Sequence, residues 1–181
     1  MLANFLLLLL VIFLLLVLAG IIYQANGAAR DARLCPPPGR RVRVGKHFLH
    51  IHCAGEGGPA VILDAGIAAS SLSWSRVQPE VAQFTRVCSY DRAGLGWSDR
   101  ALQRLTAAQM ADALHTLLDA AGVARPFVLA AHSFGGLVVR AYAGKYPQAV
   151  VGIVLVDALH PDEWRTPTRE QRRMIRGGVF F

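Results

Sequence analysis

The sequence contains few cysteines, and their spacing excludes several kinds of site. Cys35, Cys53 and Cys88 are the only three among 181 residues, which is too few for a disulfide-rich scaffold. The sequence has no CxxC pair and no zinc-type spacing of His and Cys, so it predicts no metal site, and no motif indicates another cofactor. Cys53 and Cys88 lie in strand-like segments, and we expect them to be core residues.

Charge is absent from the first part of the chain, where residues 2–23 carry none. An apolar helix of about 20 residues crosses the hydrocarbon layer of a bilayer, which is about 30 Å thick. A cleaved signal peptide has basic residues before a shorter apolar run, and no Lys or Arg precedes this one. We therefore predict a single transmembrane anchor over residues 1–23. A signal peptide and a buried core helix are the alternatives.

Residues 24–40 form a basic, proline-rich linker that contains the sequence Cys-Pro-Pro-Pro-Gly from position 35. Such a proline run favours a stiff, extended connector of the polyproline type. Lys and Arg residues that flank a membrane helix favour the cytoplasmic side of the membrane. This single short flank favours the cytoplasm weakly for the domain that follows and leaves its side of the membrane open.

The net charge of +7 does not indicate a nucleic-acid partner. The basic residues are concentrated in residues 30–46 and 165–176, whereas residues 47–164 are slightly acidic. A nucleic-acid-binding domain carries its basic residues on its own surface. We therefore exclude nucleic acid as a partner.

From Arg41 onward, strand-like and helix-like segments alternate. A hairpin is followed by buried strands and by two amphipathic or apolar helices. Residues 73–84 have two interpretations: a single helix, or a short turn followed by a helix that begins near Pro79. The predicted segments are the hairpin 41–44 and 48–53, the strands 60–63, 86–90, 127–131 and 151–156, and the helices 106–121 and 137–146. This alternation predicts an α/β fold with a mostly parallel sheet, helices on both faces and an antiparallel edge.

Ser133 lies between a buried strand and a helix, in the sequence Ala-His-Ser-Phe-Gly-Gly. The small residues Ala131 and Gly135 permit the sharp turn that exposes a nucleophilic serine. The backbone N–H of Phe134 falls at the start of the helix, where developing negative charge is stabilised. The alternative is that Ser133 merely caps this helix.

Three segments follow one another in a recognisable order. They are VILDAGI at 61–67, YDRAGLGWS at 90–98 and AHSFGG at 131–136. In this order they resemble the α/β-hydrolase superfamily, in its branch of esterase, lipase and peptidase-like enzymes. The resemblance covers residues 41–162 and corresponds to the N-terminal part of that fold, without its last strands.

The resemblance implies a role for several residues. Ser133 would be the nucleophile, and the backbone N–H groups of Ile67 and Phe134 would form the oxyanion hole. Asp91 and Arg92 are expected to brace their turn rather than to contact substrate. His132 directly precedes Ser133, so we expect its side chain to point away and do not assign it as the base.

The acid and the base of a catalytic triad are not identified in this sequence. In the family they follow the serine in the order acid, then His. His160 is the only histidine after Ser133 and comes too soon after the strand 151–156, while Asp157 is expected to form a structural salt bridge or cap. We therefore interpret residues 41–162 as a partial core and residues 163–181 as the start of a lid or a truncated tail.

The sequence thus predicts a membrane-anchored serine hydrolase that acts on a small ester-like or amide-like acyl substrate through an acyl-enzyme. Residues 1–181 alone are expected to be nearly inactive, because a base is missing. One alternative is a non-catalytic, membrane-tethered binding module. Another is a truncated product that does not fold, because an incomplete sheet leaves an unpaired edge and uncovered apolar surface.

Overall fold

A computed structural model of the protein describes residues 2–101, 105–162 and 168–176. The chain divides into two compact units, residues 1–37 and residues 38–181. The predicted tail 163–181 lies partly outside the described residues. Within it, the structure describes the helix α5, which is numbered with the other elements below.

The first unit consists of one long helix, α1, at Leu2–Leu34. From Asn4 to Leu34 it is long and apolar enough to span a membrane, and none of its most apolar part is buried. The helix continues through residues 24–34, which were predicted as linker. This part is rich in alanine, a strong helix former, and contains no proline before Pro36, so nothing in the sequence stops the helix earlier.

The second unit is built on one sheet of six strands in the order β1-β2-β4-β3-β5-β6. The strands are β1 Arg40–Val44, β2 His47–Ala54, β3 Val61–Asp64, β4 Val87–Tyr90, β5 Phe127–His132 and β6 Val150–Val156. β1 pairs with β2 and β2 pairs with β4 in antiparallel fashion, whereas β4, β3, β5 and β6 are mutually parallel. This confirms the predicted mostly parallel sheet with an antiparallel edge.

The remaining helices follow α1 in chain order. They are α2 Gln78–Val81, α3 Ala107–Ala120, α4 Gly135–Lys145 and α5 Arg169–Arg176, with short 3-10 helices at Ser71–Trp74 and Pro147–Ala149. Because Pro79 lies in the first turn of α2, the interpretation of residues 73–84 as a turn and a short helix is confirmed. Thr106 caps α3 through a capping box with Gln109.

Helices cover both faces of the sheet, as predicted. On one face, buried side chains of α3 and α4 such as Leu114, Leu117 and Tyr142 belong to the same hydrophobic cluster as Ile62. On the other face, Trp74 packs against Leu63 and its neighbours. Ile62 and Leu63 are adjacent, and consecutive side chains of a strand point to opposite faces.

Strand β6 differs from its prediction as a buried strand. Five of its apolar side chains are 40% to 57% exposed, namely Val151, Ile153, Val154, Leu155 and Val156. Among the described residues β6 pairs only with β5, so it is the edge of the sheet and its outer side is uncovered. Within the described residues, the sheet therefore ends in a strand that exposes apolar side chains.

Cys53 and Cys88 belong to the core, as expected, with Cys88 fully buried and Cys53 packed against its neighbours. They also form a disulfide, which the sequence did not predict. They lie directly opposite each other on the antiparallel strands β2 and β4, with their Cα atoms 4.0 Å apart. The two residues are 35 positions apart in the sequence, so their pairing depends on a strand order that the spacing does not reveal. Cys35 is free and exposed.

We predict that replacing both Cys53 and Cys88 by alanine lowers the free energy of unfolding by about 3 kcal/mol, because the unfolded chain regains the freedom of the closed loop. Urea unfolding of the detergent-solubilised protein measures this change. Cys35→Ala is the control and should leave the midpoint unchanged. Equal midpoints for the wild type and the double variant would contradict the prediction.

Candidate active site

The site is formed where the parallel strands β3 and β5 end. Asp64, the last residue of β3, lies opposite Ala131 of β5. The segments that continue these strands therefore emerge side by side, Ala65 to Ile67 from β3 and Ser133 from β5. In open α/β sheets, ligands bind beyond the carboxyl ends of the strands.

Ser133 occupies a sharp turn between β5 and α4, as the sequence predicted. Its φ is +51°, a left-handed conformation that is uncommon for residues other than glycine. The Ser133 N–H donates to the Val156 carbonyl at 3.2 Å, and its own carbonyl accepts from the N–H groups of Gly136 and Leu159, each at 3.0 Å. These hydrogen bonds hold the turn, and the residue stays half-buried.

Gly135 allows the start of α4 to contact the end of β3. A Cβ atom at this position would lie 2.8 Å from the carbonyl oxygen of Asp64 and 2.9 Å from that of Ala65. Both oxygens belong to the backbone, so a side chain cannot be accommodated by a rotamer change. Gly135 is therefore needed for two reasons: it permits the sharp turn at Ser133, and it lets the start of α4 lie against the end of β3.

The segment after β3 lies against the serine turn. A Cβ atom on Gly66 would lie 3.5 Å from the Cβ of Ser133 and 3.0 Å from Nδ1 of His132. The Gly66 carbonyl accepts from the Ala69 N–H at 3.3 Å, closing a turn in which Ala68 has a φ of +51°. The Ile67 N–H in this turn donates to no group in the described ranges of the chain.

Arg92 binds the segment that leads into this turn. Its guanidinium donates to the carboxylate of Asp64, to the Ala65 carbonyl at 2.6 Å and to the Gly66 carbonyl. The Tyr90 hydroxyl donates to the other oxygen of Asp64 at 2.9 Å, and all three side chains are buried. Burial raises the pKa of the Asp64 carboxyl, although the charge of Arg92 and the hydrogen bonds from Tyr90 and Arg92 oppose this shift.

Asp91 organises the neighbouring loops from its buried position at the end of β4. Its carboxylate accepts from the backbone N–H of Ser71 at 2.6 Å and of Trp97 at 3.0 Å, and it lies 2.9 Å from Nδ1 of His50. Burial by itself raises the pKa of Asp91, but the hydrogen bonds from His50, Ser71 and Trp97 outweigh it and hold the pKa below its ordinary value. Asp91 and Arg92 thus contact protein groups, in agreement with the expected bracing role.

The structure brings no acid and base into contact with Ser133 among the residues it describes. His132 is exposed, with its ring beside Gly66. His160 is exposed as well, and its Nδ1 accepts from the Asp162 N–H at 3.3 Å. Asp157 has a φ of +42° and lacks the expected salt bridge within the described ranges.

The sequence did not reveal the partners of the two bracing residues. Asp64, His50 and Ser71 lie 20 to 41 positions away from the residue each of them contacts. One feature of the sequence could have indicated such a partner. Asp64 is an acidic residue at the end of an apolar strand, and a buried carboxylate requires a partner.

We predict that Gly135→Ala lowers the free energy of unfolding by about 1–3 kcal/mol, because the new methyl group forces the start of α4 away from β3. Gly144→Ala is the matched control in the same helix, where nothing lies within 4 Å of the added Cβ. It should stabilise the protein by up to about 1 kcal/mol. Urea unfolding of both variants checks this, and effects of the same sign would contradict it.

Comparison with known proteins agrees with this geometry. The family model described as the alpha/beta hydrolase fold matches residues 59–180. An AB hydrolase superfamily protein of Gibberella zeae is 38% identical over 104 residues, covering 55% of this chain and 32% of that protein.

Two solved structures are similar to at least two thirds of this chain. An esterase from Thermogutta terrifontis is 26% identical with a TM-score of 0.62, covering 77% of this chain and 54% of its own. A meta-cleavage product hydrolase from Pseudomonas fluorescens is 26% identical with a TM-score of 0.62, and the match covers 67% of this chain and 46% of that hydrolase. The chain thus spans about half the length of these structures and less than half that of the curated relative. By sequence and by fold, it belongs to the α/β-hydrolase family.

Proposed function

We propose that the protein is a serine hydrolase of small ester-like or amide-like acyl substrates and that Ser133 is its nucleophile. The observation that carries this proposal is the position of Ser133, in a left-handed turn between β5 and α4 and beside the backbone of Gly66. The esterase and the hydrolase among the similar structures support a hydrolytic reaction.

In the proposed reaction, the Ser133 Oγ attacks the carbonyl carbon of the substrate and gives up its proton. The carbonyl oxygen becomes an oxyanion, which the backbone N–H groups of Ile67 and Phe134 would stabilise by hydrogen bonds. Removing one such donor typically costs about 100-fold to 1,000-fold in rate. The oxyanion then collapses, the protonated alcohol or amine leaves, and water hydrolyses the acyl-enzyme.

A serine hydroxyl needs a base to take its proton, and no described side chain contacts Ser133 in that role. We therefore expect residues 1–181 alone to react slowly. A triad that lacks its partners retains about 1,000-fold to 10,000-fold catalysis over water from the oxyanion hole and binding.

We further propose that α1 anchors the protein in a membrane. Its length and its exposed apolar side chains support this. The basic linker weakly favours the cytoplasm for the second unit, but the Cys53–Cys88 disulfide favours an oxidising compartment, because cytosolic thiols are kept reduced. A covalent bond between two strands of the core outweighs one short basic flank, so we propose that the second unit faces the oxidising side.

We predict that a fluorophosphonate probe labels the full chain slowly in membranes and that Ser133→Ala abolishes the labelling. Ser75→Ala, which removes an exposed serine elsewhere, should label like the wild type. In-gel fluorescence and mass spectrometry of the labelled peptide measure this. Absence of labelling in the folded wild type would favour a non-catalytic binding module instead, and label on a different residue would contradict the assignment of Ser133.

A further inference from the structure

We propose that Arg92 is a positioning residue that aims the Ile67 N–H at the substrate oxyanion. The inference rests on the proposed function and deepens it, because it assigns to one buried side chain the geometry of the oxyanion hole. Contacts of the guanidinium with four residues carry it.

The first contact fixes the direction of one peptide group. The carbonyl of Gly66 and the N–H of Ile67 belong to the same planar trans peptide, in which C=O and N–H point in opposite directions. Arg92 Nη2 donates to that carbonyl. The Ile67 N–H must therefore point away from Arg92, and it donates to no group that the structure describes.

The second set of contacts keeps the whole segment in place. The same guanidinium binds the side chain of Asp64 and the carbonyl of Ala65, so three successive residues, 64–66, are held by one side chain. Arg92 is 7% exposed and Asp64 is 1% exposed. The charge of Asp64 compensates that of Arg92, which a buried cation requires.

The third contact reaches the other proposed donor residue. The Arg92 Cζ atom lies 5.4 Å from the centroid of the Phe134 ring, within the range of a cation–π interaction. One side chain thus touches the peptide that carries the Ile67 donor and the residue that carries the Phe134 donor. It sets the spacing between the two sides of the oxyanion hole.

The role requires the shape of arginine as well as its charge. A guanidinium is a planar fork with five N–H donors, whereas a lysine ammonium is a single point charge. Arg92→Lys keeps a cation beside Asp64, but its one nitrogen cannot serve both carbonyls in the same geometry. This variant therefore separates positioning from charge compensation.

The test compares Arg92→Lys with Arg41→Lys in the full chain in detergent. Arg41 is a matched control, because it also pairs with a carboxylate, that of Asp99, and its Cζ lies 5.4 Å from the Phe48 ring centroid. Labelling with ¹³C′-glycine and ¹⁵N-isoleucine selects three peptide groups in NMR spectra, Gly20–Ile21, Gly66–Ile67 and Gly152–Ile153. We expect only the Gly66–Ile67 signal to move in Arg92→Lys, and none to move in Arg41→Lys.

The second readout is the fluorophosphonate reaction of Ser133. We expect the maximal labelling rate of Arg92→Lys to be at least about tenfold lower than that of the wild type. The upper limit is about 1,000-fold, the effect of losing one oxyanion donor. The probe concentration that gives half the maximal rate should change little. If Arg92→Lys fails to fold, the double variant Asp64→Asn/Arg92→Met, which leaves no buried charge unpaired, should show the same two effects.

An unmoved Gly66–Ile67 signal, or an unchanged labelling rate despite a moved signal, would overturn the assignment of Arg92. A wild-type protein that is not labelled at all would contradict the proposed function instead. In that case the NMR comparison alone decides whether Arg92 sets the direction of the Ile67 peptide.

Discussion

The parallel pairing of β3 with β5 is the constraint on which the site depends. Because Asp64 lies opposite Ala131, the segment after β3 and the serine turn after β5 start at the same level of the sheet. The missing side chain at Gly135 then lets α4 begin against the carbonyls of Asp64 and Ala65. A shift of this register by one residue would point every side chain of the moved strand to the other face and separate the two segments.

Buried charges fix the loops that this register brings together. Asp64 with Arg92 holds the segment after β3, and Asp91 with His50 and two backbone N–H groups holds the loops around β4. Burial acts to raise the pKa of both carboxylates, but the outcome differs: the pKa of Asp64 is raised, whereas hydrogen bonds hold that of Asp91 below its ordinary value. For Asp91 the lowered pKa means a stabilising contribution above the unfolded value of about 3.9, which is lost as the pH falls through the lower folded value.

Local patterns in the sequence predicted most of the fold and the serine turn, whereas features that depend on strand order were not predicted. The alternation of strands and helices and the small residues around Ser133 are local signals, and the structure has both. The Cys53–Cys88 disulfide and the contacts of Arg92 join residues far apart in the chain. The apolar sequence of β6 is typical of a buried strand, and its exposure follows only from its place at the edge.

The central claim is that Ser133, Ile67 and Phe134 form one site for a tetrahedral anion. An experimental structure of the full chain after reaction with a methylphosphonate probe tests it most directly. The account predicts a phosphonyl group on Ser133 Oγ, with one phosphonyl oxygen about 2.7–3.1 Å from the backbone nitrogens of both Ile67 and Phe134. An adduct whose oxygens face solvent, or are bound by other groups while these two N–H groups point elsewhere, would contradict it.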